Sequence, residues 1–170
     1  QKNTVNGQKV IKVRSNGTAS DAKNGTMYVK SIRDFDELQV GNLDENIGIA
    51  TLCITDVLDS KFTSDPNAID HNETVIIQNG NLKFGGPNES HVGTIKPVGN
   101  NATISIYKNE NVTTPLVIDQ DVTLDSENNK LKLTTTPGAE RAGDLLLKFS
   151  QKSKADITKY VDVLSKYEIK

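Results

Sequence analysis

Hydrophobic and polar residues alternate along short stretches of this 170-residue chain, most cleanly over Ala102-Thr103-Ile104-Ser105-Ile106-Tyr107-Lys108. Successive side chains of a strand point to opposite faces, so Ile104 and Ile106 share one face, expected to pack, while Thr103 and Ser105 share the other, expected to be wet. Further segments rich in β-branched or aromatic residues run over Lys9 to Arg14, Met27 to Ile32, Ile47 to Val57, Thr74 to Gln78 and Leu82 to Phe84. Leu116 to Ile118, Leu131 to Thr135 and Asp144 to Phe149 continue the series, and each reads as a strand. Turn chemistry separates them: Asn6-Gly7, Asn16-Gly17, Asn24-Gly25, Asn79-Gly80, Gly85-Gly86-Pro87-Asn88, Gly99-Asn100-Asn101 and Pro137-Gly138. Asn-Gly supplies the positive φ angles of tight hairpin turns, so Thr74 to Phe84 predicts a hairpin closed at Asn79-Gly80.

Many short strands with frequent turns predict an all-β fold, an immunoglobulin-like or jelly-roll-like antiparallel β-sandwich. Gly, Ser and Pro do not gather into a linker, and no repeat stands out at periods of about 20–50 residues. One domain is expected over residues 15–170, with residues 1–14 either its first strand or a strand donated to a neighbour. Near the C-terminus, Ile157, Tyr160, Val161 and Leu164 fit helical spacing, while Ile157, Val161, Val163, Tyr167 and Ile169 fit a strand. The abundance of Ile, Thr, Tyr and Val favours the strand.

Composition narrows the function classes. A charged fraction of 25%, a hydrophobic fraction of 35% and a net charge of −2 describe a folded chain without the dense basic patch that nucleic acid requires. No apolar run is long enough for a membrane-spanning helix, so no membrane insertion is expected, and Gln1 to Gln8 lack the apolar segment of a signal peptide. Cys53 stands alone in an apolar run and reads as a small buried hydrophobe. Asn-x-Ser/Thr sites occur at Asn16, Asn24, Asn72, Asn88, Asn101 and Asn111, about twice the number that chance gives for this composition. They make these asparagines glycosylation candidates and a secreted protein the expectation, while an Asn-rich sequence whose turns need Asn gives the same pattern.

Catalytic patterns are sparse. His71 and His91 belong to no hydrolase motif, Asp70-His71-Asn72-Glu73 reads as a solvated loop, and no glycine-rich loop precedes a helix. Acids cluster at Asp34 to Glu37, at Asp44-Glu45, and at Asp119 and Asp121 with Asp125 and Glu127. Calcium takes several carboxylate and carbonyl oxygens from flexible loops, so Asp119, Asp121 and Asp125 are the candidate calcium ligands, although their spacing matches no EF-hand. No other cofactor is expected, and no enzyme.

The second half resembles bacterial chaperone–usher fimbrial subunits, through Ala102-Thr103-Ile104-Ser105-Ile106-Tyr107, Thr114-Pro115-Leu116-Val117-Ile118, Lys130 to Thr134, and Ala142-Gly143 before Asp144-Leu145-Leu146-Leu147-Lys148-Phe149. The first half is similar to camelysin-type matrix fibre proteins, through Asn24-Gly25-Thr26-Met27-Tyr28-Val29 and Leu38-Gln39-Val40-Gly41-Asn42-Leu43. Both resemblances imply a non-enzymatic subunit of an extracellular filament or pilus that polymerises with copies of itself by exchanging a strand. Val10, Ile11 and Val13 would then be the core-facing residues of the donated strand. A secreted adhesin or glycan-binding module is the alternative, although the chain has no Trp to stack on sugar rings. A virion or tail structural protein is the second alternative.

Overall fold

The computed structural model describes residues 2–5, 8–18, 20–33, 35–42, 48–59, 73–84, 90–108, 116–124, 129–135, 141–142, 145–147 and 161–163. These residues form the strands β1 (Lys2–Val5), β2 (Gln8–Val13), β3 (Gly25–Arg33), β4 (Glu37–Gly41), β5 (Ala50–Asp59) and β6 (Thr74–Phe84). They continue with β7 (Ser90–Lys108), β8 (Leu116–Val122), β9 (Leu131–Thr135), β10 (Arg141–Ala142), β11 (Leu145–Leu147) and β12 (Val161–Val163). β12 places a strand within the ambiguous C-terminal stretch. Among the described residues no helix is long and apolar enough to cross a membrane.

The pairing corrects the antiparallel β-sandwich expected from the sequence. Nearly every neighbouring pair of strands is parallel, with register shifts where β3, β6 and β7 bend, and among the described strands only β1 with β2 and β10 with β7 run antiparallel. The partners sort into three columns. Column one stacks Ile11, Leu38, Val75, Ile95 and Val122. Column two stacks Met27, Leu52, Leu82, Ile104, Leu133 and Val163. Column three pairs Ile32 with Leu58, Asp59 with His91, Ser90 with Leu116, and Leu116 in turn with Leu145. Long strands bend from one column to the next: β7 pairs in column three over Ser90 to Val92, in column one over Thr94 to Val98, and in column two over Ala102 to Ile106. Each pass of the chain therefore lies on the previous one, and the sheet curls round as a parallel β-solenoid.

The hairpin expected at Asn79-Gly80 does not form. β6 continues through it as one strand, its first arm between β4 and β7 and its second between β5 and β7. A two-residue hairpin of the Asn-Gly type needs positive φ at both residues. Here Asn79 alone adopts it, at 46°. One left-handed residue turns the strand through a corner without reversing it.

Alternation still governs the interior. β6 buries Val75, Ile77, Leu82 and Phe84 and leaves Thr74, Ile76, Asn81 and Lys83 half-buried. In every pass the inward residues lie over those of the next, giving a core continuous from Val13 and Ile32 through Leu52, Ile77 and Ile104 to Val161. Fully burying a side chain of this size contributes about 1.5–3 kcal/mol, so stacking of passes is the main source of stability.

Candidate functional site

Three features outside the apolar core carry polar chemistry: the corner between columns one and two, the corner between columns three and one, and the outer edge of β3. At the first corner the chain places Ser15, Asn42, Asn79 and Asn101 in successive passes. The Asn42 amide donates to Ser15 Oγ at 2.9 Å and to the Gly48 carbonyl at 3.4 Å. Asn79 Nδ2 donates to the same carbonyl at 3.0 Å, and Asn101 Nδ2 donates to Asn79 Oδ1 at 3.2 Å. Asn42 and Asn79 are buried, and a buried amide without such partners would be costly. The corner is tight because Gly41 holds φ at 110° with the Gln78 carbonyl where a Cβ would stand. This ladder escapes sequence reading because its members belong to different strands, and each by itself looks like a turn residue.

The second corner uses acids for the same purpose. Asp36 Oδ2 accepts from the Lys9 amide at 2.7 Å, and Glu73 Oε1 accepts from the Gly93 amide at 2.5 Å. The Glu73 side chain is buried, and its backbone carbonyl also accepts from Thr94 N at 3.0 Å. A carboxylate that receives backbone N–H groups satisfies donors where a strand leaves the ladder. Within column three, Ser90 Oγ accepts from Leu58 N at 3.0 Å while fully buried.

The residues singled out in the sequence are scattered over the solenoid. Val10, Ile11 and Val13 lie in β2, which pairs within its own chain with β1 and β4. Val10 and Val13 are buried, and Ile11 packs against the core from a half-exposed position. Asp121 Oδ1 accepts from the amide of Val122 at 2.9 Å, and Asp119 lies two residues earlier in β8. Asp125 lies outside the described residues, as do Asn72, Asn88 and Asn111. Among the described residues no group of three His, Cys, Asp or Glu side chains comes together. Asn16 is exposed, Asn24 Oδ1 accepts from Ile49 N at 2.9 Å, and Asn101 belongs to the ladder. Ser105, expected on the wet face, is on the outward side of β7 and yet buried.

Cys53 also faces outward, between the inward Leu52 and Ile54, and is half-buried rather than in the core. Partial burial pushes its thiol above the ordinary range, while the Lys83 ammonium, on its register partner, pulls the other way. A thiol held protonated is a poor nucleophile.

The edge of β3 differs from all of these. Among the described strands it pairs with β5 alone, and on its first limb Met27 and Tyr28 are exposed by 47% and 72%. An uncovered strand edge offers a row of N–H and C=O groups, which is a site for another strand. Comparison with family models, with curated proteins and with solved structures finds no match.

Proposed function

We propose that this chain is a non-enzymatic structural module of an extracellular or cell-surface assembly. The observation that supports this best is the in-register stacking of successive passes over one continuous core, with Asn and acidic corners satisfying the backbone where it bends. A body built this way is held together along one axis by neighbour-on-neighbour contacts, the property of a spacer or filament segment. The Asn-x-Ser/Thr sites are the support for export. Assembly with copies of itself belongs to the same reading. Antibodies raised against the purified chain should label intact, unpermeabilised cells that produce it, or recover it from their medium. Labelling that appears only after permeabilisation, with none in the medium, overturns the proposal.

A further inference from the structure

We infer that the first limb of β3, Gly25 to Val29, is a homotypic docking edge through which two copies of this chain pair antiparallel about a two-fold axis at Met27. The inference stands on the edge geometry and is independent of where the protein works.

The amide of Gly25 donates to the Ile49 carbonyl at 3.0 Å, so Gly25 turns its hydrogen-bonding groups toward β5. Those groups alternate along a strand, so Met27 and Val29 also face β5 while Thr26 and Tyr28 direct theirs to the uncovered side. In an antiparallel pair, residues that exchange both hydrogen bonds must lie opposite each other. A two-fold at Met27 brings Thr26 opposite the partner's Tyr28. The two residues with outward-facing groups meet, and the axis repeats the exchange on the other side of Met27.

The side chains agree with the backbone. Gly25-Thr26-Met27-Tyr28-Val29 has no charged residue, so the pairing sets no like charges together. Edges are usually blunted by charge, proline or a covering segment, and this limb has none of them among the described residues. Met27, which in the stack occupies the inward position over Leu52 but is left exposed, meets its own counterpart. Tyr28 lies across from Thr26, an aromatic against a β-branched residue. The register irregularity of β3 with β5 falls beyond this limb, between Val29 and Ser31.

A second copy is the occupant because the limb is its own complement: it carries no charge, and the two-fold sets exposed Met27 on its counterpart and Tyr28 on Thr26. Stacking of copies end to end at this face is obstructed. Continuing the solenoid in parallel would require all three columns to be open, and column one is covered by β1, which lies antiparallel on the outer side of β2. Edge pairing needs β3 alone, and an isologous contact closes after two copies. The limb is short, so the dimer is weak and emerges at high concentration by mass action.

Sedimentation equilibrium of the full chain over a range of concentrations tests this. A reversible monomer–dimer equilibrium is expected, with Thr26→Lys and Tyr28→Pro each weakening the dimer by about tenfold or more. Tyr28 contributes no amide to the β5 ladder, so the proline variant should keep its circular dichroism spectrum, and Thr26→Lys gives the same answer if it does not. A monomer at every concentration, an open-ended polymer, or a dimer that neither variant weakens would each overturn the inference.

Discussion

At the scale of single residues, the corner ladder makes the sharpest demands. Asn79 combines a left-handed φ, a bond to the Gly48 carbonyl and a bond from Asn101. Asn79→Ala should cost about 2–4 kcal/mol, because it adds a strained alanine to two lost hydrogen bonds. Asn79→Gly removes the same bonds without the Cβ penalty, so it should be milder by about 1 kcal/mol; urea midpoints of the two variants measure the difference. Gly41→Ala sets a Cβ against the Gln78 carbonyl and should destabilise by about 3 kcal/mol or more. Cys53 makes stability depend on alkaline pH. Burial raises its thiol pKa in the folded state, so the stability this contributes is complete below the unfolded thiol's range and declines as pH rises through and above it. Cys53→Ser should remove that alkaline decline, and melting curves taken on both sides of the thiol range would reveal it.

At the scale of elements, most of the strands are legible in the sequence but their partners are not. Strands β4, β10 and the first part of β7 lie outside the segments that read as strands, and β7 runs straight through the turn expected at Gly99-Asn100-Asn101. Thr74 to Gln78 and Leu82 to Phe84 fall within β6, and Ala102 to Tyr107 lies within β7, because β-branched residues at alternate positions mark a half-buried strand whatever lies beside it. Parallel and antiparallel neighbours impose the same alternation, so the pattern that located these strands says nothing of their direction. The turn signal then misled: Asn-Gly suits both a hairpin and a left-handed corner, and at Asn79-Gly80 the chain uses the corner. The repeat was hidden too, since the pass from Glu37 to its partner Thr74 is nearly twice as long as that from Thr74 to Thr94. Of the candidate sites, Asn101 stands out in the sequence for its Asn-x-Thr pattern, whereas its place in the ladder depends on Asn79 in another pass. Within β7 the inward Ile104 is fully buried and the outward Thr103 is half-buried. Ile104→Ala should therefore lose about 2–5 kcal/mol and Thr103→Ala within about 0.5 kcal/mol, read from denaturant midpoints.

At the scale of the whole molecule, the polar corners, the continuous core and the open β3 edge exist only if each pass lies on the one before. A direct measurement is disulfide formation between engineered cysteine pairs in a Cys53→Ser background. Gln39 and Ile76 are register partners on adjacent parallel strands, both half-buried on the outward face. Adjacent strands lie about 4.8 Å apart, within the Cα separation of about 4.4–6.8 Å that a disulfide spans. Ile76 and Lys83 would be opposite each other in a hairpin closed at Asn79-Gly80, but in β6 they sit on successive arms of one continuous strand. Under mild oxidation the Gln39→Cys/Ile76→Cys pair should cross-link readily in the folded protein and the Ile76→Cys/Lys83→Cys pair should stay reduced. Cross-linking of the second pair with the first left reduced would contradict the parallel solenoid.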